Sequence, residues 1–467
     1  MVRWAASLVR NAVGPNTHDP RTGEILNSEI TWYHNHMRSY RNRLMIETGA
    51  ANPAARSMTL TDELMGETMK MVITHEVGHA LGLPHNMIAS NAIPVDSLRS
   101  KTFASKYGVS LTIMDYARQN YIAQPGDGLA PKDFIRRPGP YDEFVINWGY
   151  RVLPNARTPE AERATLNKWV ADEKGMFAYK YGPGQYTGTD PRNQTEDMGD
   201  DPVRASGFAV MNMKKLFPQL VAWTTTPGED YSDLEEVYNE ALGQWAQYMG
   251  HVVNVVAGVN VDFKTSDQAG AVYRVVPKAR QKAALAFISA NVFTNPSWLA
   301  PADVLARLGA PTQSVAMRAG GILTNLLSNA RLGRLAESES YDPANAYPLA
   351  EFMDDVRLTV WAGATPDGHR RSVQRAHIER LAAIINPPPA PAAVAGAGGR
   401  GGAPATPAPF TAAPNLPRSD LPALARAQLR AIQAQARTSA AATGSVARAH
   451  WADVVDRVTA VLEPPRR

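Results

Sequence analysis

Leu60, Leu64, Met69, Val72, Ile73 and Leu81 recur at the spacing of a helix and predict one over residues 59–81. Thr59 or Thr61 offers a side-chain oxygen to its first turn, where Asp62 and Glu63 also face the free N–H groups. Gly82 stands just past its end, and Pro84 blocks continuation. A second helix, rich in Arg, Met and Leu, is predicted over 33–47. Before it, Asp19-Pro20-Arg21-Thr22-Gly23 reads as a turn. Residues 24–30, with Ile25 and Ile30 apolar among polar neighbours, read as a strand.

From about Pro154 the pattern becomes helical. Thr158-Pro159-Glu160 combines a cap, a proline at the first helical position and an early acid. Further helices are expected over 231–256, 278–290, 301–308 and 313–337, with a hairpin within 259–276. Residues 386–417 are mostly Pro, Ala and Gly, a composition that cannot bury a core and predicts a disordered linker. Residues 421–462 predict one or two helices broken near Gly444. The expected fold class is α+β. A first domain over 1–154 is followed by a mostly helical domain over 155–385, the linker over 386–417 and a C-terminal helical segment over 418–467.

The bulk composition narrows the chemistry. A net charge of +4 over 467 residues calls for neither nucleic acid nor an anionic membrane as partner. No apolar run is long enough to predict an integral membrane segment, and polar residues interrupt the first ten positions too often for a signal peptide. With no cysteine in the chain, a metal must be held by His and carboxylates, a donor set suited to zinc.

Such a donor set occurs in His75-Glu76-Val77-Gly78-His79-Ala80-Leu81-Gly82-Leu83-Pro84-His85. Residues four apart on a helix share a face, so His75 and His79 can bind one metal, with Glu76 beside them and outside the ligand set. A turn at Gly82 lets His85 return as third ligand. Three protein ligands leave a fourth position for water, the mark of a catalytic site holding one Zn2+ ion. Zinc lowers the pKa of such a water from ~15.7 toward ~7. Glu76 then acts as general base and passes the proton to the leaving amine. Beyond the bare histidine pair, the added Gly and His would fall in place by chance about once in 640 trials at this chain's 34 Gly and 10 His.

Farther on comes Ser110-Leu111-Thr112-Ile113-Met114-Asp115-Tyr116. The zinc motif followed by a methionine turn resembles the metzincin clan of zinc metallopeptidases over roughly residues 1–150. The resemblance implies a catalytic domain with a small mixed sheet, an active-site helix and a Met-turn, in which Met114 forms the apolar base beneath the histidines. It implies a specificity pocket lined by residues 118–124. Tyr116 can face the metal, as in astacin-like and serralysin-like metzincins, or be a buried structural residue. Asn86 departs from the Glu of astacins and the Asp of adamalysins, so neither family is assigned.

Arg3-Trp4, residues 19–26, Gly139-Pro140-Tyr141-Asp142 and Asn147-Trp148-Gly149-Tyr150 are similar to a group of large bacterial metzincins, mostly inferred to be exported. In them the segment like 19–26 enters an edge strand to which an extended peptide can add. About 58 residues precede the active-site helix, where metzincins usually carry several strands and a long helix. The expectation is therefore a sheet lacking its first strands, or a reduced one.

His18, His34, His36, His251, His369, His377 and His450 are expected outside any metal site, with His34 and His36 on the surface. The acidic run 196–201 lacks the spacing of a calcium loop and is expected to be solvated. The functional expectation is a zinc endopeptidase acting on a peptide or protein substrate. The alternative is a truncated or catalytically impaired zinc-binding homologue serving as a binding module, which the intact Glu76 argues against. An aminopeptidase of another clan would need a downstream Glu ligand that His85 makes unnecessary.

Overall fold

The computed structural model describes residues 1–172, 179–182, 189–266, 268–309, 313–363, 365–387, 414–439 and 444–463. They fall into two compact units, one of Met1–Gly188 with Arg192–His251 and the other of Thr189–Pro191 with Val252–Arg467. The division lies at 251/252 and not near 154. Side chains, not composition, set it. Asn212 donates to the carbonyls of Tyr121 and Ala123 at 2.9 and 2.8 Å, and Arg43 pairs with Glu196 at 2.9 Å.

The first unit holds the predicted mixed sheet. Strands β1 (Val2–Ala5) and β5 (Ile30–Tyr33) run parallel, and β2 (Ala12–Val13) runs antiparallel along the other side of β5. Strands β3 (Asn16–His18) and β4 (Ile25–Ser28) form a separate hairpin. The single strand expected over 24–30 is thus two strands in different sheets, parted at Glu29. The expected turn closes the hairpin: the Asp19 carboxylate accepts from the Arg21 N–H at 2.8 Å, and Gly23 takes φ +77°. The antiparallel edge strand beside the active-site helix is β2, which precedes residues 19–26 and does not follow them.

Along β5, Ile30 and Trp32 point into the core, as the period of two requires. Trp32 shares a core with Tyr40 and Leu44 of α1 (His36–Thr48), Leu64, Met71 and Val72 of α2 (Asp62–Ala80), and Ile113 and Met114. Thr61 caps α2, its oxygen accepting from the Leu64 N–H at 3.3 Å. Helices α3 (Lys101–Tyr107), α4 (Pro140–Tyr150), α5 (Pro159–Asp172), α6 (Pro202–Leu216), α7 (Leu220–Thr224) and most of α8 (Ser232–Val253) complete the unit.

The second unit is helical apart from the expected hairpin, β6 (Val259–Val261) with β7 (Tyr273–Val275). Its helices are α9 (Lys278–Ile288), α10 (Ala302–Leu308), α11 (Gln313–Leu326), α12 (Asn329–Tyr341), α13 (Leu349–Val360), α14 (Gly368–Ile385), α15 (Leu421–Ser439) and α16 (Ser445–Leu462). The helix expected over 313–337 breaks because Ser328 is extended. Of the expected linker, residues 388–413 lie outside the described residues.

The C-terminal segment is built into this unit and is no separate piece. Trp361 and Trp451 lie 6.1 Å apart, His450 bonds Gln374 at 2.7 Å, and Arg375 pairs with Asp453 at 3.0 Å. No helix among the described residues is long and apolar enough to cross a membrane.

Candidate metal centre and active site

The end of α2 builds the centre. Gly82, at φ +85°, turns the chain, and the Gly82 and Leu83 N–H groups bond back to the carbonyls of His79 and Gly78 at 2.9 and 3.0 Å. This is the 5→2 and 6→1 pairing of a glycine-terminated helix. The turn does two things. It reverses the chain so that His85 returns to the helix face, and it presents the Leu83 carbonyl, 2.8 Å away, to the Nδ1 of His79. The Nδ1 of His75 lies 2.7 Å from the carbonyl of Ile113. Each ring therefore donates from Nδ1 and keeps the Nε2 lone pair for the centre.

Those Nε2 atoms converge. His85 stands 3.3 Å from His75 and 3.0 Å from His79, nitrogen to nitrogen. A tetrahedral ion bound at 2.0–2.1 Å sets its ligand nitrogens about 3.3–3.4 Å apart. Lone pairs turned on one another at that spacing repel unless a cation joins them, so the donor set fits zinc. Among the described residues this is the one group of three His or acidic side chains whose ligand atoms lie close enough together to share a metal.

Glu76 stands outside the ligand set. Its carboxylate accepts from the Gly14 N–H, and burial pushes it up to about 7 against the pull of Arg136. Gly14 follows β2 and passes so close that a Cβ there would lie 2.5 Å from the Glu76 carbonyl oxygen.

Met114 is buried beneath the helix. A Cβ at Gly78 would stand 2.2 Å from its sulfur, so the helix carries a glycine where the methionine packs. Asp142, within the Gly139-Pro140-Tyr141-Asp142 segment, holds the turn. It accepts from the Thr112 hydroxyl at 2.5 Å and the Ile113 N–H at 2.8 Å, and thereby fixes the carbonyl that orients His75. Asn86 donates its N–H to the Met114 carbonyl at 3.1 Å. Tyr150 donates its hydroxyl to the Leu81 carbonyl at 2.8 Å. Gly78 and Asp142 went unassigned in the sequence. The one available signal was a glycine inside a helix, which costs about 1 kcal/mol against alanine and so needs a reason.

The ring of Tyr116 lies 4.3 Å from that of His85 and 5.4 Å from that of His75, centre to centre, with the Arg118 guanidinium 4.7 Å from its centre. Its hydroxyl makes no hydrogen bond among the described residues, and burial raises its pKa.

These features match one known pattern. The Met-zincin family matches residues 57–368. The chain belongs to that family. No curated protein and no solved structure matches it. Membership as a Met-zincin supports a metallopeptidase-type hydrolase that binds zinc, on an α+β fold with a helical part.

Beside His75 and Glu76 opens a cavity of about 170 Å³. Of residues 118–124 only Arg118 lines it. Gln119 and Asn120 are buried elsewhere: the Gln119 backbone N–H donates to the Glu47 carboxylate at 3.0 Å, and the Asn120 side-chain amide donates to the Leu98 carbonyl at 2.7 Å. His36, expected at the surface, lines the cavity too, and burial pushes it down to about 4. The acidic run is solvated at Asp200 but buried over Glu196-Asp197-Met198-Gly199. Glu196 is buried between Arg43 and Arg118, which hold it down at about 2, and Asp201 caps α6 through the Val203 N–H at 3.0 Å.

Proposed function

We propose that the protein is a zinc-dependent endopeptidase in which His75, His79 and His85 hold the metal and Glu76 is the general base. The observation that carries this reading is the convergence of the three Nε2 atoms within 4.8 Å, with the Nδ1 atoms of His75 and His79 already committed to carbonyls. Bound there, zinc would acidify a water and polarise the peptide carbonyl. Glu76, held by the Gly14 N–H and adjacent to His75, takes the proton of the attacking water and returns it to the leaving amine. The edge of β2, beside Glu76, is where an extended substrate adds as a further strand. Export, implied by the resemblance to large bacterial metzincins, is part of the proposal.

Casein hydrolysis tests it. Activity is expected to disappear on chelation and return with zinc. A zinc-loaded protein that hydrolyses nothing would leave the binding-module reading in its place.

Tyr116 is proposed to donate its free hydroxyl to the oxyanion, beside the rings of two metal ligands. Tyr116→Phe is then expected to lower kcat with little change in KM, because that bond exists only in the transition state. An oxyanion donor is worth about 2.7–4 kcal/mol, or 10²–10³ in rate. Steady-state kinetics and a melting curve on one preparation decide. Normal kcat with a lowered Tm would make Tyr116 structural.

A further inference from the structure

The cavity beside the metal centre is lined by more arginines than acids, and one of those arginines has no carboxylate within hydrogen-bond reach. Its lining includes four arginines, Arg10, Arg43, Arg118 and Arg136, and a single acid, Glu76. Arg10 is paired with Glu236 and Glu240, at 2.7 and 2.9 Å. Arg43 and Arg118 share one carboxylate, Glu196, each at 2.9 Å. Glu47, 3.4 Å from Arg43, is fully buried, and burial pushes it up to about 7, so it neutralises Arg43 only in part.

Arg136 has no carboxylate partner among the described residues. It is 3% exposed, its one hydrogen bond is a long 3.5 Å contact to the Ala117 carbonyl, and its Nε has no partner at all. The nearby Asp115 is spent on the Ser90 N–H, the Ser110 hydroxyl and the Ala117 N–H. Buried guanidinium N–H groups that no carboxylate meets are unfavourable, and an anionic acceptor in the cavity would satisfy them. The Tyr40 hydroxyl accepts from Arg118 at 3.0 Å, which leaves its own proton to donate.

We propose that this cavity is the selectivity pocket of the enzyme and takes a carboxylate of the substrate next to the scissile bond, with Arg136 as its principal counter-ion. The proposal rests on the peptidase reading for the source of its ligand. The pocket begins at His75 and Glu76, so a side chain adjoining the reacting carbonyl can enter it. Its volume is roughly six times the ~30 Å³ of a liquid water, enough for an aspartate or glutamate side chain. Planar guanidinium groups match a carboxylate by paired N–H donors. The carboxylate can come from an acidic side chain or from the chain end of a peptide cut at its last bond.

The test compares zinc-loaded wild type with Arg136→Met on peptide amides carrying Glu, Gln or Leu at each position flanking the cleaved bond. One further neutral peptide ends in a free carboxylate one residue after that bond. Wild type is expected to prefer Glu to Gln by at least tenfold in kcat/KM at one flanking position, or the free acid to its amide. Arg136→Met is expected to bring that ratio near one; the ratio is the readout, because loss of the Arg136 charge also raises the Glu76 pKa and changes the absolute rate on every peptide. A melting curve checks that the variant is folded, since Glu76, Asp115 and Asp142 lose the electrostatic pull of Arg136. The two peptide arms tell side chain from chain end. Cleavage without acidic preference, or a preference that survives in Arg136→Met, would overturn the pocket and leave the peptidase standing. If wild type cuts no peptide, the peptidase reading has failed by itself, and fluorescence anisotropy with the same peptides decides the pocket. A tenfold tighter Glu peptide, levelled by Arg136→Met, supports it, and equal binding overturns it.

Discussion

Replacing Glu76 with alanine is expected to lower kcat by about 10²–10⁴, the usual worth of a positioned general base, while zinc content stays at the wild-type level. Three facts combine here. Glu76 is adjacent in sequence to a metal ligand yet outside the three converging nitrogens. Its carboxylate is held by the Gly14 N–H, so it is oriented before substrate arrives. It also lines the cavity beside the three histidines. Each tenfold in rate is about 1.36 kcal/mol, so the loss amounts to roughly 3–5 kcal/mol of transition-state stabilisation. The fold should not suffer. Burial raises the Glu76 pKa, so in the metal-free protein the ionised side chain opposes folding above its unfolded pKa, and its removal relieves that cost. Kinetics, metal analysis and a melting curve check the three parts. Substantial turnover by the zinc-loaded variant would remove Glu76 from the reaction.

His85→Ala is expected to strip the metal. The two remaining nitrogens sit on one helix face, with nothing opposite them to complete a tetrahedron. Losing an outer-shell partner of a metal ligand already costs 10–100-fold in affinity, and losing a ligand costs more. Dialysed protein should lose its zinc. The rise in Tm that zinc gives wild type, by favouring the folded state that binds it, should vanish. The polypeptide itself should remain folded, because His85 is only partly buried and lies in the turn after α2, outside the main core of the unit. Full zinc content after dialysis would mean that His85 points elsewhere, and the assignment of the centre would fall with it.

Much of the centre was legible because it is local. Within 11 residues, helix periodicity, one glycine and three histidines define both the ligands and the turn that assembles them. The same locality made the caps of α2 and α5, the turn at 19–23 and the break near Gly444 readable. What failed did so where partners are distant in sequence. The strand expected over 24–30 divides because β4 pairs with β3 and β5 with β1, and a short polar stretch carries no record of its partner. The acidic run looked solvated because charge normally is; Glu196 is buried because Arg43, 153 residues away, and Arg118, 78 away, reach it.

The sequence by itself therefore determined the proposed zinc ligands, the proposed base, the methionine turn and the alternation of helices, all properties of short windows in which i, i+3 and i+4 neighbours or a single glycine decide the outcome. Tertiary structure alone decided three other things: that residues 192–251 belong with the metal centre, that α15 and α16 belong with the helical unit, and that Arg118 and Arg136 end in the cavity beside Glu76. An arginine in a sequence is a surface residue by default, because its charge is costly to bury. Only the packed chain shows that Arg136 is buried beside Glu76 with no carboxylate within hydrogen-bond reach, and so where the protein keeps room for someone else's.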